Sequence, residues 1–181
     1  MDRAEREIRA WLDAFVIGLD LCPFARPLQH SDRLRICVSD ARTDGDLHRA
    51  FLGELDLLQA HSEAEIATTL LAFCHGLSDF DDFLGFLDES QKLVEAAGLE
   101  GVIQLASFHP RYRFEGTESE AAENYSNRSP YPILHLLRED MLTRSLEDFP
   151  QPDLIPERNI ATLMGIGAKA LRSRWQKLFE Q

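Results

Sequence analysis

The stretch IATTLLAFC, residues 66–74, is short, apolar and bounded by polar segments, and it predicts a buried strand. Two comparable runs lie on either side of it, LRICVS at residues 34–39 and GVIQLASF at residues 101–108. Apolar residues at helical spacing between these runs predict helices over residues 45–61 and about residues 79–97. Alternating strands and helices with short connections are typical of an α/β fold with parallel neighbours and right-handed crossovers. An α+β arrangement with an antiparallel partner strand is the alternative.

Helical spacing also appears in the flanking regions. It predicts an amphipathic helix over residues 3–20, stopped by Pro23, and a helix that begins near Pro132 and runs to about Leu146. A last helix is expected from Pro156 to Phe179, because proline suits the first position of a helix. We therefore expect a sheet of three to five strands, at least partly parallel, packed with about five to six helices.

Length and composition limit the class of protein. The 181 residues, 44% hydrophobic and 28% charged, suit one compact globular domain over residues 1–181. The net charge of −12 repels phosphate backbones and anionic lipid, so we expect neither a nucleic-acid nor a membrane partner. The basic segment 158–181 is expected to dock on the acidic body of its own chain or on a second copy, with a solvated helix face as the alternative.

The cysteines and the N-terminal residues indicate the cellular compartment of the protein. The three cysteines are odd in number and form no CxxC pair, so neither a disulfide framework nor a structural zinc site is indicated. The first residues are charged and amphipathic, unlike a secretory signal, and no window has the roughly 18 apolar residues of a membrane span. These features predict a cytoplasmic protein.

The segment FHPRYRFEG, residues 108–116, follows the third predicted strand, where α/β proteins commonly bind ligands. His109 is a candidate general base or metal ligand, and a hydrogen-bonded loop anchor is the alternative. Arg111 and Arg113 lie two residues apart, so an extended chain would let them clamp one anion. The alternative is that they neutralise nearby carboxylates.

The segment ENYSNRSPYPILHLLRE, residues 123–139, is the second candidate part of the site. A helix that begins near Pro132 would present its free amides to an anion. Four residues with donor groups precede that helix and are expected to bind the anion: Asn124, Asn127, Arg128 and Ser129.

His135, Arg138 and Glu139 would share one face of this helix. A histidine held by a carboxylate serves in acid/base chemistry or as a metal ligand, and a surface salt bridge is the alternative. Metal candidates are therefore His109, His135, Glu123 and Glu139, although no established metal motif is present.

Cys22 is a third catalytic candidate, within LDLCPFARP at residues 19–27. The end of a helix carries partial negative charge and opposes a thiolate, so a nucleophilic Cys22 would need a neighbouring cation. The alternative is a small buried apolar side chain. No Walker or dinucleotide glycine motif is present, and the sequence indicates no particular cofactor.

Four segments together resemble the signature blocks of the bacterial domain-of-unknown-function family 1415: LDLCPFARP, IQLASFHPRYRFEG, ENYSNRSPYPILHLLRE and IPERNI. The resemblance implies a single-domain cytoplasmic bacterial protein. It implies no activity, cofactor or catalytic residue.

Three functions follow from these patterns. The first is binding of, or action on, a small anionic metabolite in a strand-end pocket built from the FHPRYR and ENYSNRSPYPILHLLRE segments. The second is a metal-binding protein with His and Glu ligands. The third is a non-catalytic interaction protein in which the basic C-terminal helix docks on a partner or forms a homo-oligomer.

Overall fold

The fold is built on one mixed β-sheet. The structure, a computed structural model, describes residues 2–147 and 149–180. Within these residues the sheet has four strands: β1 (Leu34–Ser39), β2 (Thr68–Phe73), β3 (Ile103–Phe108) and β4 (Ile133–Arg138). Their spatial order is β1-β2-β4-β3, with β1 parallel to β2 and β4 antiparallel to both β2 and β3. The predicted α/β class with a small, partly parallel sheet is confirmed.

Six α-helices accompany the sheet in the described part of the chain: α1 (Arg3–Trp11), α2 (Asp44–Ala60), α3 (Phe80–Ala96), α4 (Glu139–Glu147), α5 (Ile155–Ile166) and α6 (Ala168–Gln176). The caps explain where two of them begin. The Thr43 side chain accepts the amide of Asp46 before α2, and the Asp79 carboxylate accepts the amides of Asp81 and Asp82 before α3. Gly98, at φ 70°, directly follows the C-cap Ala97 of α3, where the left-handed conformation favours glycine.

The helix predicted near Pro132 is wrong over its first turns. Residues from Ile133 to Arg138 form β4, which pairs on both sides, and only the part from Glu139 onward is helical. A short apolar run such as ILHLL fits a buried strand as well as a helix, and here the sheet determines the outcome. No helix therefore begins beside Asn127, Arg128 and Ser129, and the expected anion-binding helix terminus is absent there.

Two other helices differ from their predicted extent. The α-helical hydrogen bonding of α1 gives way to a π-helical turn at Leu12–Ile17, and Leu21 N donates to Val16 O at 2.9 Å. The C-terminal helix is interrupted at Gly167, where φ is 82° and ψ is 147°, a conformation that favours glycine. A 3₁₀ turn at Lys177–Phe179 follows α6.

Helices cover both faces of the sheet and form two apolar clusters. On one face α2 and α3 contribute Phe51 and Phe83, which pack with Phe73 and Leu134 of the sheet. The other face packs with α1, the π-helical turn and the C-terminal helices. The alternation of β4 explains this division, since Leu134 and Leu136 belong to the first cluster while Ile133 and Leu137 belong to the second.

The basic C-terminal segment contacts its own chain. The guanidinium of Arg172 pairs with Glu120, and that of Arg158 donates to the carbonyl of Asp20 at 3.2 Å. The basic segment thus docks on the body of its own chain, which is one of the two partners considered for it. In residues 2–147 and 149–180, no helix has both the length and the apolar character needed to cross a membrane.

Candidate functional site

A cavity of about 430 Å³ lies between the sheet and the layer that contains α1 and α5. This volume is within the usual range for small-molecule pockets. We call it the apolar cavity, because leucine, isoleucine, valine, phenylalanine and similar side chains form most of its wall. The lining residues with a polar side chain are Trp11, Cys22, Thr68, Ser126, Asn127, His135 and Asn159.

The π-helical turn at Leu12–Ile17 shapes one wall of the apolar cavity. It contributes Leu12, Val16 and Ile17 to the lining. The turn closes tightly at Gly18, where an added Cβ would lie 2.6 Å from the carbonyl oxygen of Asp13. Because π-helical turns within α-helices occur frequently at functional sites, this irregularity agrees with a binding role for the wall it forms.

His135 places an imidazole in the wall from β4, between Leu70 of β2 and Ala106 of β3. Its Nε2 lies 2.7 Å from Thr68 Oγ1, and the Thr68 hydroxyl donates to the carbonyl of Leu136, also at 2.7 Å. The hydroxyl has one proton, so Nε2–H donates to Thr68 and Nδ1 is an acceptor. Among the described residues, Nδ1 has no hydrogen-bond partner. Burial lowers the pKa of His135 to about 4, so the ring is neutral at pH 7.

Trp11 contributes a donor to the same wall. Its side chain is only 1% exposed, and its Nε1–H reaches no acceptor in the described part of the chain. The ring of Phe108 packs edge-on against Trp11 at a centroid distance of 5.2 Å and lies 6.2 Å from the ring of His135. The wall of the apolar cavity therefore includes an unpaired donor on Trp11 and an unpaired acceptor on His135, with the ring of Phe108 close to both.

Cys22 also lines the apolar cavity. Burial raises the pKa of its thiol, although the backbone amides of Phe24 and Ala25 donate to the sulfur and act in the opposite direction. The thiol is therefore protonated at pH 7, a state that suits packing better than nucleophilic attack. No cationic side chain lines this cavity among the described residues.

A second cavity, of about 350 Å³, lies beside the loops that follow β2 and β3. We call it the polar cavity; its lining residues are Asp79, Phe80, Asp81, Pro110, Arg111, Arg113, Ser119, Glu120 and Arg128. Three guanidiniums that the sequence singled out thus lie around one space. Three carboxylates share it, so the lining is balanced in charge.

The three arginines of the polar cavity differ in how they are held. Arg128 is 9% exposed, its guanidinium donates to the carbonyls of Tyr112 and Ser119, and it lies 4.7 Å above the ring of Tyr125. The guanidinium of Arg111 donates to the Ser78 carbonyl and to the Asp79 carboxylate at 3.3 Å. Arg113 is exposed.

His109 lies at neither cavity. The ring is fully buried between Phe80 and Phe83, at centroid distances of 5.2 Å from each. Its Nε2–H donates to the carbonyl of Leu77 at 3.0 Å, and Nδ1 accepts the amide of Arg111 at 3.0 Å. Burial lowers the pKa of His109. With both nitrogens occupied, the ring connects the loop after β3 to the loop after β2.

The two singled-out segments meet through hydrogen bonds between their backbones and side chains. His109 N donates to Asn127 O at 3.1 Å, and Asn127 Nδ2 donates to Ser107 O on the edge strand β3. Asn124 is fully buried, and its amide bonds four groups of the loop between Phe114 and Ser119. Ser129 is buried as well and donates to the carbonyl of Tyr131. These side chains hold the loop together.

Arg138 and Glu139 do not share a helical face with His135, which corrects the predicted grouping. The Arg138 guanidinium donates to the carbonyls of Leu58, His61 and Ile66, and so joins the end of β4 to the end of α2. Glu139 begins α4, and Glu123 lies in the 3₁₀ turn at Ala122–Ser126. In the described residues no three His, Cys, Asp or Glu side chains are grouped to hold a metal ion.

Several residues of the apolar cavity were not singled out from the sequence. Trp11 and Phe108 fitted the ordinary core of a helix and a strand, and Asn159 lies within the C-terminal helix. Thr68 carried a usable signal, because a threonine pair interrupts the apolar run of β2. A buried strand seldom needs such hydroxyls unless they have a partner.

Fold and site together define a three-layer α/β protein with a mixed four-stranded sheet and an apolar cavity on one face of it. Residues 3–173 match the model of the family described as protein of unknown function (DUF1415), and the chain belongs to this family. The resemblance inferred from the four sequence segments is thereby confirmed. No curated protein and no solved structure matches the chain.

Proposed function

We propose that this protein binds a small molecule in the apolar cavity. The observation that carries the proposal is the pair of unpaired polar atoms in the cavity wall, Trp11 Nε1–H and His135 Nδ1. A buried donor such as Trp11 Nε1–H is nearly always hydrogen-bonded in proteins, so an unpaired one in a cavity wall that also holds an unpaired acceptor supports a bound partner.

Binding accounts for the chemistry of this wall better than catalysis does. A general base acts best with a pKa near the working pH, and the pKa of His135 is lowered to about 4. The thiol of Cys22 is protonated and faces no cation in the described lining. Catalytic roles for His109, His135 and Cys22 therefore stay predictions, while a carrier or sensor function needs only the cavity.

The test is to fill the cavity. Ala25 lines it, and Ala25→Leu adds three carbons there; Ala96→Leu makes the same change on the exposed face of α3 and is the matched control. Indole, 2-naphthol and 2-naphthoate are titrated by isothermal calorimetry into the wild type and both variants.

We expect at least one of these probes to bind at a ratio of one per chain. Ala25→Leu should weaken that binding at least tenfold, because the added side chain occupies ligand volume, and Ala96→Leu should leave it unchanged. If no probe binds, or if Ala25→Leu binds as well as the wild type, the cavity is not the site.

A second candidate function is the binding of a small anion, such as a phosphate or carboxylate group, at the polar cavity. It is favoured by the buried guanidinium of Arg128, which bonds carbonyls and has no carboxylate partner among the described residues. Arg111 and Arg113 line the same space. Inorganic phosphate, compared with chloride at equal ionic strength, should raise the melting temperature of the wild type and of Arg42→Gln but not of Arg113→Gln. Equal responses in all three proteins would exclude this site.

The metal-binding and interaction functions have weaker support. The His and Glu candidates for a metal site are dispersed over different parts of the fold, and the C-terminal helices pack on their own chain. A homo-oligomer stays a prediction, which the mass in solution measured by light scattering tests directly.

A further inference from the structure

We propose that the ligand of the apolar cavity is an uncharged molecule with a hydroxyl or amide group at one end of an apolar body. This inference rests on the small-molecule function proposed above and specifies the chemical class of the ligand. It follows from two properties of the wall: the absence of charge in the described lining and the identity of its unpaired atoms.

Charge is the first property. Aspartate, glutamate, lysine and arginine are all absent from the described lining of the apolar cavity. An ionised carboxylate or ammonium placed there would lose its hydration without gaining a counter-ion, which is costly in an apolar environment. His135, the one titratable cation-former in this wall, stays neutral at pH 7. The cavity thus selects against both anions and cations.

The unpaired atoms are the second property. They are found by setting aside the polar groups of the wall that already have hydrogen-bond partners. Asn159 Nδ2 donates to the carbonyl of Leu21 at 2.8 Å, and Asn127 Nδ2 donates to that of Ser107 at 3.1 Å. Ser126 donates to Asn127 Oδ1, and the Thr68 hydroxyl is engaged on both sides. The sulfur of Cys22 accepts hydrogen bonds from the backbone amides of Phe24 and Ala25.

Trp11 and His135, both close to the Phe108 ring, are then left with an unfilled position, and Asn159 Oδ1 is a further acceptor without a partner among the described residues. Trp11 Nε1–H requires an acceptor, and His135 Nδ1 requires a donor. A hydroxyl or an amide supplies both kinds of group without carrying charge. A carboxylate supplies acceptors only, so it would place a negative charge against the lone pair of Nδ1.

The rest of the wall determines the apolar body. The ring of Phe108 packs near both Trp11 and His135, and Ile155 and Ile160 of α5 also line the cavity. A cavity of about 430 Å³ holds a two-ring molecule or an alkyl chain of similar size. Burial of that body supplies the affinity, and the two polar atoms supply the orientation.

Three naphthalene derivatives with the same apolar body test the inference: 2-naphthol, 2-naphthamide and 2-naphthoate, titrated into the full chain at pH 7 by calorimetry. We expect the two neutral compounds to bind at least tenfold more tightly than the carboxylate. Trp11→Phe keeps an aromatic ring but removes the donor, and it should weaken 2-naphthol about five- to tenfold. Trp175→Phe, outside the cavity lining, is the matched control and should have no effect.

The outcomes separate this inference from the proposed function. Binding of 2-naphthoate as tight as that of the neutral compounds, sensitive to Ala25→Leu, would overturn the neutral ligand and leave the small-molecule site standing. No measurable binding of any of the three would overturn both. The comparison of ligands on the wild type needs no substitution, so it is decisive even if Trp11→Phe is unstable.

Discussion

His109 and His135 differ in whether their ring nitrogens are free to bind a further group. His109 uses both ring nitrogens within the protein, whereas His135 uses only Nε2. His109, which the sequence places beside Arg111 and Arg113, thus holds two loops together. His135, which the sequence predicts on a helix, instead lies on β4 and contributes a polar group to the wall of the apolar cavity.

The lowered pKa of His135 predicts a specific pH dependence of stability. An unfolded chain protonates this residue as the pH falls below about 6.5, whereas the folded chain resists protonation until about pH 4. The stabilisation is therefore complete above pH 6.5 and is lost progressively between pH 6.5 and 4, by about 3 kcal/mol. Urea unfolding of His135→Gln should show a smaller loss over this interval than the wild type. Parallel curves for the two proteins would contradict the assignment.

The buried amide of Asn124 predicts a large effect from one small truncation. Its Oδ1 accepts from Phe114 N and Thr117 Oγ1, and its Nδ2 donates to Glu118 O and Ser119 O. Asn124→Ala removes all four of these hydrogen bonds and leaves the amide of Phe114 without a partner among the described residues, so it should lower the free energy of unfolding by about 2–3 kcal/mol.

Ser119→Ala is the control for Asn124→Ala, since Ser119 is exposed and contributes its backbone carbonyl to this network. Its unfolding free energy should stay within about 0.5 kcal/mol of the wild type. Chemical unfolding measures both variants, and similar losses in the two would show that the network does not stabilise the loop.

At the scale of an element, the π-helical turn after α1 depends on one glycine. A Cβ at Gly18 would lie 2.6 Å from Asp13 O and 2.8 Å from Ala14 O, both backbone atoms that cannot move aside cheaply. Gly18→Ala should therefore destabilise the fold by about 1–3 kcal/mol and weaken ligand binding, because the same turn lines the apolar cavity.

The matched control for Gly18→Ala is Gly85→Ala in α3, where an added Cβ would meet nothing within 4 Å. Alanine in a helix interior is favoured over glycine by roughly 0.5–1 kcal/mol, so this variant should be more stable than the wild type. Differential scanning calorimetry should thus give shifts of opposite sign. A gain in stability from both changes would show that the turn can relax.

The elements differ in how well the sequence predicts them. The helices α2 and α3 have regular apolar spacing and capping residues, so their limits were predicted to within about two residues. The strand β4 resembles a helix in sequence because α4 follows it without a connecting loop, and the helical spacing of α4 extends backwards into ILHLL. Only the pairing of this segment with β2 and β3 distinguishes a strand from a helix here, and both of those strands are distant in sequence.

The candidate site was predictable in its chain segments but not in its geometry. Phe108, Asn127 and His135 belong to the segments that the sequence singled out, and all three line the apolar cavity. Trp11 and α5 complete that cavity from far along the chain. A cavity is formed where elements from separate parts of the sequence pack together. Local sequence patterns therefore do not predict it.

For the whole molecule, the C-terminal helices act as part of the core rather than as an appendage. Leu171 and Leu178 are almost completely buried, and the ring of Trp175 packs against Phe15 and Tyr125. Truncation after Gly167 removes all three anchors and exposes the apolar surface beneath them. We expect this variant to lose several kcal/mol of stability or to self-associate.

Truncation after Phe179 is the control, because it keeps α6 and the turn that follows it. It should match the wild type in thermal unfolding and in mass by light scattering. If the shorter protein ending at Gly167 also matches the wild type in both measurements, the C-terminal helices contribute little to the core.

The strand order has a consequence for the time at which the sheet can form during synthesis. β4 lies between β2 and β3 but emerges from the ribosome after both of them. Until residue 138 has been made, β3 has no strand to pair with, and the nascent chain contains only the β1–β2 pair. Closure of the sheet is therefore a late event that depends on contacts across long stretches of chain, which favours slow folding. A ribosome-bound chain that ends before Ile133 should stay sensitive to protease, while one extended past Arg138 and the C-terminal helices should not.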